Sequence, residues 1–144
     1  MNAIDFLMKE HEKVRKILSD IENNSHHYET KRKMFDELGI DLIRHEEMEH
    51  KVWYPHFKND THLSNEVRHL LKEENYAKKA IKQLSELKTQ SLWEEKFIKF
   101  KKDVEHHAQE EEQQLFPEVE KLLDTEELEK IGIEMHHFKQ NYSQ

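Results

Sequence analysis

Two segments of this sequence share one chemical pattern: His45 stands four residues ahead of Glu49, and His107 stands four residues ahead of Glu111. On a helix that spacing puts both side chains on one face, a turn apart. From facing helices two such pairs can place two carboxylates between two metal ions, with the imidazoles at the outside. His11 and Glu74 join the set because each interrupts an apolar stripe at a position that should face a core. The chain has no cysteine, so any metal must be held by His and carboxylate, which suit harder ions than thiolates do.

The elements that must position these residues are helices. Gly and Pro occur twice each in 144 residues, which leaves almost no turn chemistry for strands or hairpins. The spacing predicts helix 1 from about Asn2, a plausible N-cap, to Asn24, and helix 2 from about Tyr28 to Tyr54, stopped by Pro55. Helix 3 is expected from near Ser64 to before Gln90. Helix 4 opens with Ser91-Leu92-Trp93-Glu94, a capping-box pattern, and meets Pro117. A second such pattern, Asp124 with Glu127, opens a short helix reaching roughly to Phe138. Residues 55–63 form the one sizeable irregular connection. Apolar residues recur at alternating steps of three and four: Ile4, Leu7, Val14, Leu18 and Ile21 on helix 1, for instance, with His11 in the gap.

The two halves match. Phe35, Leu38, Leu42, His45, Glu49, Tyr54 and Pro55 reappear 62 positions on as Phe97, Phe100, Val104, His107, Glu111, Phe116 and Pro117. Ile4, Leu7, His11, Val14, Leu18 and Ile21 reappear 63 positions on as Val67, Leu70, Glu74, Ala77, Ile81 and Leu84. The expected fold is therefore all-α: an antiparallel up-down-up-down four-helix bundle over about 1–123, with a short C-terminal helix over about 124–138, in one domain. Glu74 stands where the repeat would put a histidine.

Three glutamates in such a core repel one another, and each costs several kcal/mol or more if buried without a partner. Two divalent ions would bring four positive charges against three negative ones, which removes the objection. The competing readings are bland ones. A lone core histidine is commonly just hydrogen-bonded, and Glu74 could pair with Lys78 at i,i+4. The matched mid-stripe pairs favour metal. His50 and His106 sit beside ligand positions but off the stripe. His26, His27, His56, His62 and His69 fall in connections or on outer faces, and His136 and His137 read as surface.

The net charge of −8, without a long basic run, argues against nucleic acid or an anionic membrane as partner. No apolar run approaches the roughly 20 residues needed to span a bilayer. Met1-Asn2-Ala3-Ile4-Asp5 lacks the charged-then-apolar pattern of an export signal, so a cytoplasmic location is expected.

At this point the chain resembles the hemerythrin-like (HHE cation-binding) family. The resemblance rests on Phe6-Leu7-Met8-Lys9-Glu10-His11-Glu12, on His45-Glu46-Glu47-Met48-Glu49 followed by Tyr54-Pro55, and on His107-Ala108-Gln109-Glu110-Glu111 followed by Leu115-Phe116-Pro117. It covers about residues 1–123. The resemblance implies a non-haem, carboxylate-bridged diiron centre: His11 and His45 on one iron, His107 and the helix-3 ligand on the other, Glu49 and Glu111 bridging. Leu70-Leu71-Lys72-Glu73-Glu74-Asn75 resembles the family's Leu-Leu-Lys-Glu-His, with Glu74 in place of the histidine. The additional helix-3 histidine of the oxygen carriers is missing, since Ala77 and Lys78 occupy that region. Roughly three or four coordination positions would remain for solvent and an exogenous ligand. An anionic oxygen donor at position 74 favours ferric over ferrous iron. The expected function is thus reaction with O2 or peroxide, as an oxidase, peroxide scavenger or redox sensor, with an electron donor that the sequence does not identify. The alternatives are reversible O2 or NO binding, or iron storage, delivery and iron-centre repair, with manganese or zinc as alternative metals.

Overall fold

The computed structural model describes residues 1–143. Six α-helices make up most of it: α1 (Ala3–Glu22), α2 (Tyr28–Met48), α3 (Ser64–Glu86), α4 (Gln90–Glu110), α5 (Phe116–Leu122) and α6 (Thr125–Asn141). Helices α1 to α4 form the bundle. Asn2 caps α1 as expected, its side-chain oxygen accepting from the Asp5 N–H at 2.9 Å. The capping box of Asp124 and Glu127 is complete in both directions, and α6 runs three residues past Phe138 to Asn141. The capping box expected at Ser91 is not formed. α4 begins one residue earlier, at Gln90, after an extended Thr89 whose side chain makes no cap, so Ser91 lies inside the helix. Among the described residues there is no strand, and no helix is long and apolar enough to cross a membrane.

The two prolines do something subtler than stop helices. Each is preceded by a π turn, Glu49–Trp53 before Pro55 and Glu111–Leu115 before Pro117. The Tyr54 N–H bonds to the Glu49 carbonyl and the Phe116 N–H to the Glu111 carbonyl, five residues back in place of four. A proline gives its preceding turn no N–H and crowds the carbonyl four residues back, and the wider turn accommodates both. After Pro55 the chain makes one short 3-10 turn, Tyr54–His56, whereas after Pro117 it continues as α5. The expectation of plain helix up to each proline is corrected here. Both π turns start on a candidate bridging glutamate.

The apolar core is in two parts. One cluster joins Ala3, Leu7, Trp53, Tyr54, Phe57, Leu70, Leu115 and Phe116 to the inner face of α6, through Leu128, Ile131 and Met135. The other joins Leu18, Ile21, Phe35, Leu38, Leu42, Ile81, Trp93, Phe97 and Phe100. Each large side chain so buried contributes about 1.5–3 kcal/mol. The interrupted stripe positions lie on the same four helices between these clusters.

Candidate metal centre

Each helix of the bundle delivers a share of the polar residues. α1 brings His11, α2 brings His45 with Glu49 on its π turn, α3 brings Glu74, and α4 brings His107 with Glu111 on the second π turn. Glu49 and Glu111 are completely buried and Glu74 is 1% exposed. The Nε2 of His45 lies 2.8 Å from Glu49 Oε1, and the Nε2 of His107 lies 2.9 Å from Glu111 Oε1 and 3.3 Å from Glu74 Oε2. His11 Nε2 approaches Glu111 Oε1 at 3.8 Å.

These close approaches lack hydrogen-bond alignment. Both carboxylate oxygens of Glu49, both of Glu111 and the Nε2 of His107 are buried with no hydrogen-bond partner. Buried polar atoms are nearly always satisfied, so five orphans at one point call for an occupant. Ligand atoms of His11, His45 and Glu111 lie within 4.8 Å of one another, as do those of Glu49, Glu74, His107 and Glu111. The two groups share Glu111. All six residues singled out in the sequence therefore converge, in two adjoining sets, and the donor chemistry fits cations.

The other face of each imidazole is held by a carboxylate that the sequence reading missed. Nδ1 of His11 lies 2.7 Å from Glu112 Oε2, Nδ1 of His107 lies 3.0 Å from Glu73 Oε1, and Nδ1 of His45 lies 3.4 Å from Glu10 Oε1. An acceptor there keeps the proton on Nδ1 and leaves Nε2 as the inward donor atom. Two of these carboxylates are anchored in turn, Glu112 by Arg15 at 2.8 Å and Glu10 by Lys139 of α6 at 2.7 Å. The sequence did carry a signal, because Glu10, Glu73 and Glu112 each stand next to a candidate ligand. Neighbours on a helix face different ways, and only the packing shows which imidazole each one meets.

His50 is a second omission. Expected off the stripe, it turns its Nε2 to Glu74 Oε1 at 2.9 Å, from within the π turn. Tyr54 donates its hydroxyl to Glu74 Oε2 at 2.5 Å, so Glu74 is bound on both oxygens and does not pair with Lys78. His50 and Glu112 occupy equivalent places in the repeat, as do Glu74 and His11. An inward His11 from the first half meets an outer Glu112 from the second, and an inward Glu74 from the second half meets an outer His50 from the first.

Burial pushes the Glu49 carboxyl up to about 8, with repulsion from Glu111 and Glu74 adding to it. Burial, with repulsion from Glu74 and Glu49, carries Glu46 up to about 8 as well. Burial acts on Glu74 in the same sense, but the His107 imidazole beside it and hydrogen bonds from His50 and Tyr54 outweigh it and hold Glu74 down at about 2. Burial lowers His11, only partly offset by Glu112. In His45 and His107 burial is overcome by facing carboxylates, which push both upward. Without a cation, burial and mutual repulsion favour the protonated forms of Glu49 and Glu46.

The remaining histidines stay outside the centre. His136 and His137 are exposed on α6. His69 is half exposed and forms a third His/Glu group with Glu73 and Glu110, on the outer surface.

The family model of the hemerythrin HHE cation-binding domain matches residues 2–131. No curated protein and no solved structure matches the chain. The match takes in all four bundle helices and every one of the six convergent residues, and the chain belongs to the hemerythrin HHE cation-binding family.

Proposed function

We propose that the cations are two iron ions and that the centre reacts with O2 or peroxide. The observation that carries this reading is the set of four buried, partnerless oxygens of Glu49 and Glu111, flanked by imidazole nitrogens on both sides. Glu49 and Glu111 would hold the ions together with His11 and His45 on one side and His107 and Glu74 on the other. Two ferrous ions held there would supply the two electrons that take O2 to peroxide or, with two protons, hydrogen peroxide to water.

The chain's own part is to bind, orient and dry the centre. Glu10, Glu73 and Glu112 fix the imidazole tautomers. Glu74 adds an anionic oxygen donor, which stabilises the more highly charged ferric state and favours oxidation over reversible carriage. His50 and Tyr54 hold that carboxylate in place and draw off part of its charge. The apolar clusters on both sides keep bulk water away, which strengthens each electrostatic contact.

The test is metal analysis of protein purified from iron-supplied cells, with absorption spectra before and after one equivalent of peroxide. Two irons per chain and a lasting spectral change to the oxidised state are expected. A fully reversible change on removing O2 would move the function to carriage. Absence of iron, or iron inert to peroxide, would overturn the reading.

A further inference from the structure

Beside the polar layer lies a chamber of about 270 Å³ that no residue of the centre needs for itself. Its inner end is the centre: His11, His45, Glu49, Glu74 and His107. Its body is apolar, walled by Leu18 and Leu42, by Phe100 and Val104 of α4, and by Ala77 and Ala80 of α3. The chamber owes its width to those two alanines. Ala77 lies one turn beyond Glu74, and Ala80 stands about 9 Å along α3 from Glu74. The space therefore extends well past the layer where ions would lie. Trp53, Tyr54, Phe57 and Phe116 pack the opposite side of the centre. The void is one-sided.

The rim carries charges of both signs, already paired: Lys99 with Asp103 at 2.8 Å, Arg15 with Glu112 at 2.8 Å, and Glu105 with Lys101 at 3.9 Å. An anion finds no spare countercharge there and would also face the carboxylates within. The Lys99–Asp103 pair is exposed, with Lys99 lying 5.4 Å over the ring of exposed Tyr76, so the mouth is closed by weakly held surface groups. A buried apolar cavity of roughly 150 Å³ is enough to take up benzene. This one is larger.

We propose that the chamber binds an uncharged, apolar organic molecule of about the size of a substituted benzene ring, held against the centre by Leu18, Leu42, Ala80 and Phe100. This names the substrate class for the function proposed above, and it rests on that reading only in calling the ligand a substrate. Binding itself needs the chamber and no metal.

The experiment titrates toluene, and separately benzoate, into metal-loaded and metal-free protein, following the thermal midpoint. A parallel titration follows the 19F signal of fluorobenzene. Toluene at ten times its dissociation constant should raise the midpoint of the metal-free protein by about 4 °C, while benzoate leaves it unmoved. Ala80→Leu, which fills the chamber, should abolish the toluene shift while metal content is unchanged. If that variant folds poorly, Ala80→Val should weaken fluorobenzene binding at least several-fold. No saturable binding to the wild-type chain, binding undiminished in both variants, or equal binding of benzoate would each overturn the proposal. Toluene binding to a chain that takes up no iron would sink the diiron reading and leave the chamber standing.

Discussion

Glu74 and His50 hold, with histidine and glutamate exchanged, the places that His11 and Glu112 hold across the repeat. A glutamate stands on α3 where the repeat would put a histidine, and a histidine stands on the facing π turn where the repeat would put a glutamate, and the two side chains meet. Glu74→His alone sets two imidazoles face to face and is expected to weaken metal binding about 10–100-fold. Adding His50→Glu should recover most of it, as read by chelator competition in a double-mutant cycle. A double variant no better than the single one would show that the two positions are independent. For the candidate bridging positions, Glu49→Ala and Glu111→Ala should each lose most bound metal by elemental analysis, while His136→Ala on the exposed face of α6 loses none. Full metal retention in both glutamate variants would remove the centre from this place.

α6 does more than cover the bundle. It buries Leu128, Ile131 and Met135 against the first cluster, and through Lys139 it reaches Glu10 and so His45. Lys139 lies beyond residue 131, where the family match ends. Lys139→Met keeps the packing stem and removes the charge, so it should leave the fold intact yet cost about tenfold or more in metal affinity. A chelator titration with unchanged helicity tests this, and unchanged affinity would reduce α6 to a lid.

The seating of α6 depends on Gly132, where an added Cβ would lie 2.5 Å from the Met1 carbonyl oxygen and 3.0 Å from the Ala3 nitrogen. Backbone cannot move aside as a side chain can. Gly132→Ala should therefore destabilise the protein by about 1–3 kcal/mol in denaturant unfolding. Gly39→Ala meets only the Ile81 Cγ2 at 3.1 Å, a side-chain atom able to rotate, and gains helix propensity of up to about 1 kcal/mol. It should be neutral or stabilising. Equal losses in the two variants would contradict the packing described.

For the whole molecule, the protons held at the centre set how stability follows pH. Glu49 and Glu46 are raised from 4.5 to about 8, so in the metal-free protein their contribution is complete below about 4.5 and is lost as pH climbs through about 8. His45 and His107 are also raised, and their contribution is likewise lost on going upward. Glu10, Glu73, Glu74 and Glu112, held at about 2, contribute above 4.5 and lose that only as pH falls toward 2. From pH 5 to 8 the metal-free protein should therefore lose stability. Bound cations replace the protons, so the metal-loaded protein should hold or gain. Thermal midpoints with and without a chelator should diverge as pH rises, and parallel curves would mean that those carboxylates are not what the cations neutralise.

Sequence alone determined the elements and the identity of the convergent residues, because both depend on period. An apolar stripe at steps of three and four implies a helix with an inner face, and a His or Glu in that stripe must go inward with it. The π turns escaped because Pro55 and Pro117 announce a disturbance without saying what the backbone does one turn earlier. The mates of the three imidazoles, and of Glu74, escaped for another reason. Glu10, Glu73, Glu112 and His50 lie off the stripe on their own helices and meet partners 24 to 101 residues away, at distances set by how the helices pack. The chamber is likewise a property of packing: Ala77 is unremarkable in the stripe and Ala80 lies beside it, and only the facing Leu18, Leu42 and Phe100 show that they leave space unfilled. Period is written along one helix, whereas complementarity exists only between helices.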